Sequence, residues 1–268
     1  MSFLVLLAIL IIVGVFTGIL IGMFGIGGGI IFVPTLYYFL PLFDVPYTNL
    51  AYFTIGTSLF AGALATSNAA YLHIRKENFS KKPAILVSIG AAISAFIAPF
   101  FVAKINAEII GFIFALVMIV VALSMIFENS LNEKFNLERP LSDPILFLLG
   151  TFTGVFSAFT GLGGGVIYVP ALIYLFLINA KMAVGTSSII AAITMISSAV
   201  AYILLGSGST SYPGAIGFVI PEAAIPLGFG AIIGTFFGVK IVMRSSTELV
   251  KKAFGMLLIA AVAKYIFT

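Results

Sequence analysis

The residues best placed to do chemistry in this chain are glycines. Gly25, Gly27, Gly28 and Gly29 fall within one stretch of five residues, and Gly161, Gly163, Gly164 and Gly165 repeat the pattern. Each Gly inside a helix costs about 1 kcal/mol relative to Ala. Such runs make sense where a helix breaks and its backbone approaches a ligand or another helix. A helix restarting after each break exposes amide N–H groups that lack intrahelical partners. In a non-aqueous setting those amides need an acceptor. An anion supplies the acceptor and a charge that suits a helix N-terminus. Ile30 and Ile31 follow the first run, so it is neither a dinucleotide fingerprint nor a phosphate-binding P-loop.

Hydroxyl groups form the second set. Thr57 and Ser58 follow Gly56, and Thr186, Ser187 and Ser188 follow Gly185. They are candidates to donate to an anion, or to bond back to a carbonyl one turn earlier. With the eight glycines they make up the candidate substrate-binding residues. Pro34 and Pro170 lie five residues past the last Gly of each run. There they remove a backbone hydrogen bond and read as helix kinks. Thr66, Ser67, Asn68, Thr194, Ser197 and Ser198 read as helix–helix hydrogen-bonding groups.

Other chemistries are poorly supplied. The chain has no Cys and one His, His73, so thiolate and histidine-cluster metal sites are not expected, and no cofactor is implied. Paired carboxylates, a Ser–His pair or haem ligands, which an intramembrane enzyme needs, are not apparent. Acidic residues fall in loops or at the ends of apolar runs. Glu222, between Pro221 and Pro226, is the one modest candidate for proton coupling. The 13 basic residues give a net charge of +4 but no clustered basic face, which argues against nucleic acid.

The elements that must position these residues are membrane helices. Hydrophobic residues make up 62% and charged residues 8% of 268, against roughly 45–50% and about 25% in soluble domains. Apolar runs lie near 3–24, 29–43, 51–73, 84–103, 109–127, 145–162, 165–178, 184–205, 217–239 and 249–267. They are continuous rather than alternating, so the expectation is an all-α polytopic membrane protein and not a barrel. The first run has no basic segment before it and no cleavage site, and reads as a retained helix. The runs 29–43 and 165–178 are too short for a full span and read as half-helices or re-entrant segments. With the N-terminus outside, 11 of the 13 basic residues fall inside, leaving only Lys104 and Lys264 outside. The positive-inside rule therefore predicts a cell-membrane protein with both termini outside.

The chain is also a duplication. Residues 14–40 match 150–176 at 13 of 27 positions, the glycine runs and Val33-Pro34 against Val169-Pro170 included. Gly56-Thr57-Ser58 then matches Gly185-Thr186-Ser187, and Gly90, Ser94 and Ala98 align with Gly230, Gly234 and Gly238. The expected organisation is a first membrane repeat over 1–127, a cytoplasmic connection over 128–143 and a second repeat over 144–268. Five runs per half is an odd number, so the halves should enter the membrane from opposite sides. Inverted-topology repeats of this kind place a site at the midplane, on broken helices. GxxxG spacing at Gly14, Gly18 and Gly22, and at Gly230, Gly234 and Gly238, reads as helix packing.

The duplicated G-x-G-G-G-x-x-x-V-P element, each copy followed by Gly-Thr-Ser, resembles the sulfite exporter TauE/SafE family of membrane permeases. The resemblance covers nearly the whole chain and implies transport of sulfite, sulfoacetate, thiosulfate or a related organosulfonate. It leaves the substrate, the oligomeric state and the direction open. The expectation is therefore an alternating-access permease for a small anion, with lipid and substrate as its partners. The alternatives are an anion channel and a permease for a non-sulfur organic anion. With no clear acidic group mid-membrane, electrogenic efflux is expected over proton-coupled uptake.

Overall fold

A computed structural model describes residues 3–43, 45, 49–102, 142–208 and 212–266. Its elements are α1 (Phe3–Phe24), α2 (Gly29–Phe39) with a 3-10 turn at Leu40–Phe43, α3 (Leu50–Arg75), α4 (Lys81–Ile97) and α5 (Pro99–Val102). After the undescribed stretch come α6 (Asp143–Thr160), α7 (Gly165–Tyr174), α8 (Ala180–Gly206), α9 (Pro221–Arg244) and α10 (Thr247–Ile266). No strand occurs among the described residues. The expected run at 109–127 and most of the connection at 128–143 lie outside them; Asp143 itself opens α6.

Helix starts follow local chemistry. Asn179 caps α8 by accepting from the Lys181 amide at 3.0 Å, as a short polar side chain does best. Pro occupies the first turn of α6 and of α9, where its missing N–H is no loss. Asp143 and Glu222 sit in those same turns, on the favourable side of the helix dipole.

Among the described residues, six helices are long and apolar enough to span a membrane: α1, α3, α4 with α5, α6, α8 and α9. Large apolar side chains stay exposed along their outer faces, Phe16, Ile89, Ile93, Phe229 and Phe236 among them. Such surface is stable against lipid tails and would be a liability in water.

Small residues decide which helices meet. α1 and α9 pack in parallel through Gly14, Gly18 and Gly22 on one side and Gly230, Gly234 and Gly238 on the other. A Cβ on Gly18 would run into the backbone of Ala231, and one on Gly22 would come 2.8 Å from the Thr235 carbonyl. The packing expected from GxxxG spacing is present. α4 and α6 pair in the same way through Gly90, Gly150 and Gly154. α3 and α8 fill the space between, α3 against α9 and α8 against α4.

Contacts at the helix ends fix relative directions. Lys82 pairs with Asp143 at 2.7 Å, both exposed. Asn78 donates to the Lys181 carbonyl at 2.8 Å, and Lys181 Nζ to the Met243 carbonyl at 3.3 Å. The end of α3 and the starts of α4, α6 and α8 therefore meet the end of α9 at one basic pole. At the other pole Tyr212 donates to the Phe43 carbonyl, and the Ile220 amide to Thr57 Oγ1 at 3.1 Å. α1 runs from this second pole towards the basic one. α2, of 11 residues and so about 16 Å long, turns back to where α1 began. The segment 29–43 is thus re-entrant. α6 and α7 make the same hairpin from the basic pole.

Candidate functional site

Both glycine breaks have one backbone shape. Gly25, Gly27 and Gly28 take φ of 67°, 73° and 84°, and Gly161, Gly163 and Gly164 take 74°, 76° and 74°. An L side chain costs about 1–2 kcal/mol in this left-handed region, so glycine is required by the turn itself. Every residue of both breaks is buried.

The two breaks meet each other. A Cβ on Gly27 would lie 3.1 Å from Gly163 Cα, and one on Gly163 would lie 3.2 Å from Gly27 Cα. One on Gly29 would strike the Gly161 carbonyl, and one on Gly165 the Gly25 carbonyl. The glycines thus serve close backbone packing as well as the left-handed turns. Met195 closes over the junction, its sulfur 2.7 Å from the position of a Cβ on Gly163.

The helices after the breaks begin without partners for their leading amides. The Ile31 and Phe32 amides both reach the Gly28 carbonyl at 3.0 Å, and those of Ile167 and Tyr168 reach Gly164 at 3.0 and 3.1 Å. Gly29 and Ile30, and likewise Gly165 and Val166, have no carbonyl one turn back to bond. Two positive helix ends therefore converge at the centre of the bundle.

The Thr-Ser pairs bind across the halves. Ser58 donates to the Gly161 carbonyl at 3.1 Å, and Ser187 to Gly25 at 2.9 Å. Thr57 accepts from the Ile220 amide, and Thr186 from the Ser80 amide at 2.8 Å. Thr186 also donates to Met182 at 2.7 Å, and Ser188 to Val184 at 3.0 Å, each one turn back. In this conformation the protons of Ser58, Thr186, Ser187 and Ser188 are held by backbone carbonyls. Bonding back one turn, one of the two expected fates, holds for Thr186 and Ser188 only. Ser58 and Ser187 reach the opposite break.

Other sequence candidates fall elsewhere. Pro34 and Pro170 lie inside α2 and α7. Glu222 is exposed in the first turn of α9, beside Gly214 and away from the breaks. Asn68 donates to Thr235 at 2.7 Å and Ser198 to the Ala95 carbonyl at 3.2 Å, as helix–helix bonds should. Thr66 and Thr194 instead bond back to Gly62 and Ile190, both at 2.7 Å.

The residues 10–265 match the family described as sulfite exporter TauE/SafE. The chain belongs to that family. A probable membrane transporter protein of Haemophilus influenzae is 29% identical over 92% of this chain and 93% of its own length. One of Methanocaldococcus jannaschii is also 29% identical, over 92% of this chain and 90% of its own. One of Bacillus subtilis is 24% identical over 74% and 78%. No solved structure matches the chain. Membership places this TauE/SafE chain among membrane transporters rather than enzymes.

Several site residues of the TauE/SafE chain do not stand out in its sequence. His73 and Tyr202 occupy matching positions of the two halves, and each reaches a carbonyl near the end of the helix before its own break. His73 Nε2 lies 3.4 Å from the Gly22 oxygen, and Tyr202 donates to Ala158 at 2.9 Å. Asn78 Nδ2 lies 3.0 Å from His73 Nδ1. With Asn78 as donor there, the imidazole proton belongs on Nε2, facing Gly22. The shared offset of 129 in the sequence was the available signal, but the residue types differ and hide it.

Proposed function

We propose that the protein is a permease for a small anion, held where the two glycine breaks meet and released by alternating access. The convergence of two helix N-termini with unbonded leading amides carries this reading. An oxyanion supplies both the hydrogen-bond acceptor and the negative charge that such helix ends favour, which a cationic solute cannot do. Family membership makes sulfite, thiosulfate, sulfoacetate or a related organosulfonate the favoured substrate.

The proposed framework is a pair of inverted repeats. Its support is that α1 runs towards the basic pole while its sequence counterpart α6 starts there. The packing of α1 on α9 and of α4 on α6 is likewise exchanged between halves. We place the basic pole in the cytoplasm of a cell-membrane protein, on the positive-inside rule. Thr57, Ser58, Thr186 and Ser187 then act as a latch between halves, one that opens when substrate arrives or leaves.

Purified protein in liposomes tests the reading. Sulfite or sulfoacetate flux that saturates and shows counterflow supports a carrier. Non-saturating flux without counterflow supports the rival channel. Absence of flux for every sulfur oxyanion, alongside flux of a carboxylate, moves the substrate class to non-sulfur organic anions.

A further inference from the structure

The two breaks share a backbone but not their side-chain lining. On the first-half side, a Cβ on Gly28 would come 2.7 Å from Ile21 Cδ1, 3.0 Å from the Phe32 ring and 3.2 Å from Thr17 Cγ2. At the repeat offset of 136, Ile21 becomes Ser157, Phe32 becomes Tyr168 and Thr17 becomes Thr153. Ala65, on α3, becomes Thr194 on α8 at the offset of 129. Three apolar side chains of the first half are hydroxyl-bearing in the second, and Thr17, whose hydroxyl bonds back to Val13, remains Thr.

The hydroxyl lining is buried and closely packed on the start of α7. The Tyr168 ring would meet a Cβ on Gly164 at 2.8–3.0 Å. Its phenol oxygen lies 3.0 Å from Thr194 Oγ1, with Thr153 also in range. Thr194 donates to Ile190 at 2.7 Å and Thr153 to Leu149 at 2.6 Å, so the phenol supplies the proton it shares with Thr194. All these hydroxyl protons have acceptors. The Ser157 hydroxyl does not: it is fully buried and has no hydrogen-bond partner. Ser157 lies one turn beyond Thr153 on the same face of α6, in the last turn before the break. At the repeat offset of 136 it is the counterpart of Ile21, whose Cδ1 lies over Gly28 in the first half. An unbonded buried hydroxyl costs free energy unless something accepts from it.

We propose that the transported oxyanion binds off-centre, in the second half. It accepts from the Ser157 hydroxyl and from the Gly165 and Val166 amides, and the Tyr168 phenol borders it. This rests on the permease reading and sharpens it: the site selects an anion with at least two unshared oxygens, one for a hydroxyl and one for a helix end. The first half, lined by Ile21 and Phe32, supplies no matching donor side chain.

Sulfite binding to purified wild-type protein, measured by calorimetry, is the reference. Ser157→Ala and Tyr168→Phe should each fold and bind sulfite more weakly, Ser157→Ala by roughly tenfold or more, the worth of one hydrogen bond to a charged group. Ser157→Thr, which keeps the hydroxyl, should retain most of the affinity. Thr17→Val, the first-half control, should bind as wild type. Wild-type affinity in folded Ser157→Ala, or equal losses in Thr17→Val and Ser157→Ala, would overturn the off-centre site while leaving the permease reading intact. Wild-type protein that binds none of sulfite, thiosulfate and sulfoacetate would instead defeat the sulfur-oxyanion reading, and this proposal with it.

Discussion

The Ser187 hydroxyl donates to the Gly25 carbonyl at 2.9 Å, joining residues 162 apart in sequence. The bond ties the second turn of α8 to the first residue of the break that follows α1. Ser58 and Gly161 repeat it in the other direction. Any motion that separates the two breaks must exchange these bonds for others.

The first prediction follows from that exchange. Ser187→Ala leaves the Gly25 carbonyl without its donor in the closed form. Interhelical hydrogen bonds in membrane proteins average about 0.6 kcal/mol, with about 1.7 at the upper end. Ser58→Ala and Ser187→Ala should each lower thermal stability by about that amount and favour separation of the halves. In liposomes the variants should carry substrate at least as fast as wild type. Melting curves and initial rates check this; a stable but slower variant would assign the hydroxyls to substrate instead of to the latch.

A second prediction concerns the glycines that the anion would face. Gly28 and Gly164 have φ of 84° and 74°, and a side chain at Gly164 would crowd the Tyr168 ring. Gly164→Val should lose anion binding, and Gly28→Val, on the first-half side, should weaken it less. Gly165→Val should be worse for folding, because its Cβ would strike the Gly25 carbonyl and Ile26 Cα of the opposite break. Binding titrations and monodispersity in detergent separate the two effects. Wild-type affinity in folded Gly28→Val and Gly164→Val would leave the glycines a packing role alone.

Much of this architecture was legible because it is local or periodic. Continuous apolar runs gave the helices, and the two short ones gave the half-helices, since length alone separates a span from a hairpin arm. GxxxG spacing gave the meeting of α1 and α9. The partners of Ser58 and Ser187 were not legible, because each lies more than 100 residues away and a hydroxyl in a helix carries no mark of which carbonyl it will find. Ser157 and Tyr168 do not stand out in the sequence for another reason. Attention to what recurs between the halves selects the shared backbone, whereas a side-chain site shows itself in the positions that differ.

Topology gives a third prediction. The chain has no native Cys, so single cysteines report cleanly. Lys76 lies at the basic pole and Ser207 at the end of α8 on the opposite pole, and both are exposed. Lys76→Cys and Asn132→Cys should react only with membrane-permeant reagents in intact cells. Ser207→Cys should react with impermeant ones. The reverse pattern would invert the orientation and discard the argument from charge.

The last prediction concerns energy and direction. Of the acidic residues whose side chains are described, Glu77, Asp143, Glu222 and Glu248 are all exposed. None stands beside the glycine breaks, so the site would be positive only through helix dipoles and hydroxyls. An anion bound there crosses with its charge uncompensated. A potential of about 100 mV, negative inside, is worth about 2.3 kcal/mol per elementary charge. A monovalent anion is driven outward by that amount and a divalent one by about twice as much. Efflux therefore needs no coupling ion, whereas uptake against the potential does. Glu222 is poorly sited to supply a proton, lying in the first turn of α9 at the pole opposite Lys82. Proteoliposomes loaded with sulfite, with valinomycin and a potassium gradient setting the potential, should show efflux that follows the sign and size of the potential. Glu222→Gln should match wild type. Efflux that ignores the potential, follows an imposed pH gradient, and loses that dependence in Glu222→Gln would make the protein a proton-coupled carrier.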